Sequence, residues 1–111
     1  MVIENRVIWM NNINNPHYEV AQNLKNVTEK IKISLLAVNR PPDDTTLVAV
    51  SKLQPVDKIE VALTEGQRSF GENRVQEAAQ KWPLLKKNYP SAKLHLIGPL
   101  KHNKAKEAIN L

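Results

Sequence analysis

Apolar residues recur every three or four positions between about Tyr18 and Asn39, a spacing typical of one face of a long amphipathic helix. Pro41 and Pro42 would end that helix. Packing of the apolar face within its own domain is the preferred interpretation, because a two-helix coiled coil, the alternative, needs several sustained heptads. The residues of this face are Val20, Leu24, Val27, Ile31, Leu35 and Val38.

After this helix, short apolar runs alternate with helical patterns, and turn residues separate them. Leu47 to Ser51 are all apolar or small, which suits a short strand buried on both faces. The same reasoning predicts two more strands and three more helices. In chain order, the elements are a strand at 47–51, a helix from Pro55 stopped by Gly66, a strand at 68–71, a helix from Glu72 that Pro83 breaks or kinks, a strand at 93–98, and a helix at 104–111 capped by Asn103.

Strands and helices that alternate through short turns predict right-handed crossovers and a parallel sheet, hence the α/β fold class. Three parallel strands leave one inner face and two edges uncovered, so we expect self-association or a complementing fragment to cover them. Residues 1–15 hold five of the twelve asparagines and show no sustained period, which predicts a flexible extension. Residues 16–111 are then predicted to be one partial domain.

Lys52 directly follows the first predicted strand. Ligands of parallel α/β folds gather at the carboxyl ends of the strands. Packing against apolar walls there would disfavour the ammonium form and leave a free amine, which can attack a carbonyl group and form a Schiff base. The alternative is that the strand ends at Ser51 and that Lys52 turns into solvent, as most lysines do.

The other two predicted strands also end in polar or glycine-containing groups. Gly71-Glu72-Asn73 follows the second strand and Gly98-Pro99-Leu100 follows the third, so parallel strands would bring both groups to the same face as Lys52. Glu72 is either a carboxylate in the first turn of a helix or an acid or base. Asn73 can donate to and accept from a ligand, or can act as a cap or surface amide.

The composition excludes several classes of site. The chain has no cysteine, and His17, His95 and His102 lack the spacing of a metal site. His95 is expected to be structural and His102 to lie on a solvated basic edge. No glycine-rich phosphate loop or dinucleotide fingerprint occurs.

The net charge of +5, with seven lysines after position 80, favours an anionic partner. That region lacks interleaved aromatic residues and any recognisable nucleic-acid module, so no specific nucleic-acid binding is expected. No apolar run approaches the ~18 residues of a membrane span. A soluble cytoplasmic protein without a membrane partner is therefore expected.

Several segments together carry a family resemblance. They are Asn39 to Pro42, Thr46 to Lys52, Gly66-Gln67, Phe70 to Glu77, and His95 to Leu100 followed by Asn103-Lys104. In order and spacing they resemble the pyridoxal phosphate homeostasis proteins, which are single-domain relatives of the barrel half of alanine racemase. The similarity runs from about Leu24 to Leu111. It implies the N-terminal part of a (β/α)8 barrel that binds pyridoxal 5'-phosphate (PLP).

The resemblance also implies a site. Lys52 matches the lysine that forms a Schiff base with PLP, and Asn73 matches a residue beside the cofactor. Members of the family bind and deliver PLP without robust turnover of a substrate, so no catalytic residue and no enzyme activity are expected. The strands that clamp the phosphate in this family lie beyond the matched part. Leu53 stands where relatives usually have a polar residue, and Lys101 where they usually have glutamine.

Two other functions stay open at this point. A racemase-like enzyme on the same cofactor needs a second acid or base opposite Lys52, and the two tyrosines, Tyr18 and Tyr89, lie outside the predicted strand ends. The other is an interaction fragment or relic that binds no cofactor and whose open apolar face is covered by a partner.

Overall fold

The computed structural model describes residues 16–111, which fall into two compact units, 16–47 and 48–111. The first unit contains helix α1 (Pro16–Ala37), which confirms the predicted long helix. Ala21 and Leu35 are buried, whereas Val27 and Val38 of the predicted apolar face are exposed. The extension predicted for residues 1–15 lies outside the described residues.

The second unit is a parallel sheet with helices between its strands. The strand order is β1-β2-β3, and both neighbouring pairs are parallel, which confirms the predicted α/β class. The elements are β1 (Ala49–Val50), α2 (Val56–Thr64), β2 (Ser69–Glu72), α3 (Val75–Asn88), β3 (Lys93–Leu96), a 3-10 turn (His102–Lys104) and α4 (Ala105–Ile109).

The core of this unit lies between β2 and the inward faces of α2 and α3. All four residues of β2 are buried, as expected for a central strand that is covered on both faces. Phe70 of β2 contacts Trp82 of α3 with ring centroids 5.1 Å apart. Leu63 and Leu85 are also fully buried. Gly66 follows α2 with φ +101°, and the N–H of Gln67 donates to Ala62 O, so the predicted glycine stop is confirmed.

Several features of the elements differ from the sequence predictions. β1 has two residues, because its pairing with β2 covers only Ala49 and Val50. Helix α3 begins at Val75, since β2 continues through Glu72, which pairs with Leu96. Pro83 lies inside α3 and does not end it, because Trp82 and Leu85 on either side are packed into the core. Asn103 does not cap α4, whose N-cap is Lys104 without a side-chain bond.

Helices in residues 16–111 are all too short or too polar to cross a bilayer.

Candidate functional site

The carboxyl ends of the three strands come together as the parallel sheet requires. The N–H of Ser51, directly after β1, donates to Gly71 O at 2.9 Å, and the N–H of Ile97, directly after β3, donates to Glu72 O at 2.9 Å. A methyl group placed on Gly98 would lie 2.5 Å from Asn73 O, so only glycine allows this approach. The groups that follow the three strands therefore lie at one edge of the sheet.

Lys52 lies in a turn at this edge. Its neighbours Ser51 and Gln54 close the turn with a hydrogen bond from Gln54 N to Ser51 O at 3.1 Å. Lys52 is exposed, so within residues 16–111 it does not pack against apolar walls as expected. Its exposure agrees with the alternative that Lys52 turns into solvent. An exposed amine remains accessible to an aldehyde. The assignment of Lys52 to a cofactor stays a prediction.

The backbone of this turn adopts an unusual conformation immediately after Lys52. Leu53 has φ +61°, the left-handed region that disfavours a residue with a Cβ. Its side chain is 82% exposed and so gains little from packing. Contacts from elsewhere in the fold must therefore hold the turn in this shape.

One of the two sequence interpretations of Glu72, a carboxylate in the first turn of a helix, is wrong. Glu72 is the last residue of β2 and is fully buried, so it is not in the first turn of a helix. Its Oε2 atom accepts hydrogen bonds from Ser51 Oγ at 2.5 Å and from Trp82 Nε1 at 3.1 Å. These bonds tie the residue that precedes Lys52 to the core of the unit.

Lys81 is a buried lysine that the sequence analysis did not single out. Its Nζ atom lies 2.8 Å from Glu72 Oε2 and 2.9 Å from Glu77 Oε2. The same atom donates to Ser51 O at 2.8 Å and approaches Gln54 O at 3.5 Å. A signal did exist, because position 81 lies on the face of α3 defined by Ala78, Trp82 and Leu85, where an apolar residue is expected.

Glu77 completes the contacts between α3 and the turn. Its Oε2 atom accepts the N–H of Leu53 at 2.7 Å while it also pairs with Lys81. The hydrogen bond from Lys81 lowers the pKa of the Glu77 carboxyl below its ordinary value, and the Leu53 N–H and the charges of Lys81 and Arg74 act in the same direction. Partial burial opposes this shift in the pKa. Glu77 is thus held as a carboxylate.

The second candidate, Asn73, is half-buried between β2 and α3. Its backbone is fixed by the contact with Gly98 described above. Its cofactor role also stays a prediction.

Tyr89, by contrast, lies at the other ends of the strands. Its ring contacts the guanidinium of Arg68, which directly precedes β2, with 5.7 Å to the ring centroid. It is therefore not opposite Lys52.

No protein-family profile matches the chain. Among curated proteins, the chain is 39% identical over 89 residues to a pyridoxal phosphate homeostasis protein of Escherichia coli K12, an alignment that covers 79% of this chain and 38% of that protein. It is 41% identical over 97 residues to the protein of the same name from Buchnera aphidicola, covering 87% of this chain and 39% of that protein. The resemblance to the pyridoxal phosphate homeostasis proteins is therefore confirmed over the aligned part of the chain.

Solved structures give the same result. PipY of Synechococcus elongatus with PLP bound is 39% identical, with a TM-score of 0.58 over 76% of this chain and 38% of that chain. A protein of unknown function from Bifidobacterium adolescentis has a TM-score of 0.80 at 24% identity over 86% of this chain and 43% of that chain, which supports the fold alone. The chain thus spans about two fifths of the relatives it matches, and its α/β elements are those of a partial barrel.

Proposed function

We propose that this chain, which is homologous to part of the pyridoxal phosphate homeostasis proteins, binds PLP as a Schiff base on Lys52 and takes part in intracellular PLP homeostasis. The observation that carries the proposal is the place of Lys52, an exposed lysine on a turn that the side chains of Glu77 and Lys81 hold at the carboxyl end of β1. Ligand sites of parallel α/β folds form at this end.

The described residues fit the aldehyde end of PLP. The Lys52 nitrogen would bond to the aldehyde carbon, and the aldehyde oxygen would leave as water with the two amine protons. The amide of Asn73 offers a donor and an acceptor to a polar ring substituent. The glycines at 66, 71 and 98 form no glycine-rich phosphate loop, so residues 16–111 supply no such cradle for the phosphate.

Binding rather than turnover is the activity that we propose. Bound PLP acts as an electron sink, and catalysis on it needs a protein acid or base on each side. A racemase-like function would place such a residue opposite Lys52, whereas Tyr89 lies at the other ends of the strands. We propose a cytoplasmic location, and self-association or a complementing fragment that covers the open half barrel, whose edge strands are β1 and β3.

Reductive trapping tests the proposal directly. The chain is mixed with a stoichiometric amount of PLP, borohydride reduces the carbon–nitrogen double bond, and peptide mass spectrometry locates the modified lysine. We expect the label on Lys52 and its loss in Lys52→Arg. Lys58→Arg is the matched control, because Lys58 lies on α2 close in sequence and is half-exposed. Equal labelling of all accessible lysines would overturn the proposal.

A further inference from the structure

The turn that carries Lys52 receives little support from the sheet. β1 pairs with β2 only at Ala49 and Val50, and the bond from Ser51 N to Gly71 O is the last backbone hydrogen bond from this segment to β2. Beyond Ser51, the Leu53 side chain is 82% exposed and gains little from packing, and the φ of +61° at Leu53 costs free energy. The position of Lys52 must therefore depend on other contacts.

Those contacts come from two side chains one turn apart on α3. Glu77 accepts the N–H of Leu53, and Lys81 donates to Ser51 O and approaches Gln54 O. The pair thus contacts backbone groups on both sides of Lys52. An ion pair between Glu77 and Lys81 at 2.9 Å fixes the two side chains relative to each other.

The burial of Lys81 indicates that the Glu77–Lys81 pair fixes the backbone of the turn in addition to stabilising the fold. The Lys81 side chain is only 9% exposed, and a buried ion pair often contributes no more stability than apolar residues of similar volume. An apolar residue at position 81 could fill the space but could not donate to Ser51 O. The polar pair is therefore suited to fixing backbone geometry.

We infer that Glu77 and Lys81 are positioning residues for Lys52. They hold the turn in the one shape that presents the amine at the carboxyl edge of the sheet. Glu72 also connects this turn to the core, because it accepts a hydrogen bond from Ser51 Oγ. The inference rests on the proposed function, since Lys52 needs a fixed position only if its amine reacts with an aldehyde.

Two readouts on the full chain test the inference. The first is hydrogen exchange of the Leu53 amide, measured by NMR without PLP. We expect Glu77→Gln to raise this exchange rate several-fold, because the amide oxygen of glutamine lacks the negative charge that strengthens the bond to the Leu53 N–H. The second is the rate of borohydride-trapped labelling of Lys52 by PLP. We expect Glu77→Gln and Lys81→Met each to slow it several-fold.

Two controls separate positioning from general stability and charge. Ile59→Val removes a buried methylene in α2 and costs about as much stability as a lost hydrogen bond, yet leaves the turn contacts intact. Glu107→Gln removes the same charge as Glu77→Gln from an exposed pair. Neither control should change the Leu53 exchange rate relative to that of its neighbours or the labelling rate of Lys52.

The outcomes are distinguishable. If the wild-type chain is labelled at Lys52 and both variants are labelled equally fast, the inference is wrong and the proposed function stands. If the wild-type chain shows no selective label at Lys52, the proposed function fails, and the Leu53 exchange rate still decides whether Glu77 holds the turn. Should Lys81→Met fail to fold, Glu77→Gln alone decides, because its side chain is partly exposed and its shape is unchanged.

Discussion

The Nζ atom of Lys81 lies 2.8 Å from Oε2 of Glu72, and both side chains are almost fully buried. Removal of one charge from such a pair leaves the other without its partner in a region of low dielectric constant, which is costly. The other carboxylate oxygen, Glu72 Oε1, is buried and accepts no hydrogen bond from the described residues. The energetics of this pair can be measured.

We expect Glu72→Gln to lower the free energy of unfolding by about 1–3 kcal/mol and Glu72→Ala by about 3–5 kcal/mol. The glutamine keeps one oxygen that can accept from Ser51 and Trp82, whereas alanine removes every bond. Urea unfolding measures both values. Glu107→Gln, in an exposed pair with Lys104, should change stability by at most about 0.5 kcal/mol. A cost for Glu72→Gln as small as that of Glu107→Gln would contradict the prediction.

Stability should depend on pH through Glu77. The pKa of its carboxyl is lowered in the folded chain, chiefly by the Lys81 hydrogen bond, from an ordinary value of 4.5. A carboxyl group whose pKa is lower in the folded than in the unfolded chain stabilises the folded chain. This stabilisation is fully present above the pKa of the unfolded chain and is lost as the pH falls through the pKa of the folded chain. We therefore expect the stability difference between wild type and Glu77→Gln to be constant from pH 7 to about 5.5 and to shrink toward pH 3.

Urea unfolding of both chains across this range measures the effect. The sign is fixed: acid should weaken wild type more than Glu77→Gln. A difference that does not change with pH would show that the carboxylate has the same pKa in both states.

Gly98→Ala should disturb the edge of the sheet. The new methyl group would lie 2.5 Å from Asn73 O, so the backbone at Asn73 must shift, and we expect a loss of about 1–3 kcal/mol. Gly66→Ala is the matched control at the other end of the strands, where the cost is strain at φ +101° in open space. Both variants should be less stable, but we expect Gly98→Ala alone to slow the labelling of Lys52 by PLP.

Leu53→Gly should stabilise the chain. Glycine removes the strain of φ +61° at an exposed position, and this gain of about 1–2 kcal/mol exceeds the entropic cost of glycine, about 0.5–1 kcal/mol. We expect a thermal midpoint several degrees higher. Leu84→Gly is the control, because Leu84 is also exposed but lies in α3, where glycine costs about 1 kcal/mol. Two midpoints shifted in the same direction would contradict the explanation.

The helices and strands that repeat a clear pattern were predictable from the sequence. The stripe from Val20 to Val38 predicted α1 to within two residues at each end, and Gly66 marked the end of α2. The α/β alternation followed from these elements. The boundaries that failed depend on tertiary pairing. Glu72 looked like a helix start after a glycine, but pairing with Leu96 keeps it in β2.

The candidate site was predictable only in part. Lys52 and Asn73 could be named from strand ends and from the family resemblance, whereas Lys81 was missed, because a lysine is ordinarily counted as solvent-facing even where it falls on the apolar face of a helix. Its burial requires Glu72, which lies on another element, as well as backbone carbonyls of the turn. The helical pattern could have marked position 81 as facing inward, but its partners on β2 and in the turn could not be identified from the local sequence.

The surroundings of Lys81 have a chemical consequence for the molecule as a whole. Oxygen atoms of Glu72, Glu77 and Ser51 lie within 3.0 Å of its nitrogen, and its side chain is only 9% exposed. Lys52 presents its amine to solvent. The turn therefore has two lysines of opposite accessibility beside it, and we expect an acylating reagent to modify Lys52 in the folded chain and to reach Lys81 only when the contacts around the turn have opened.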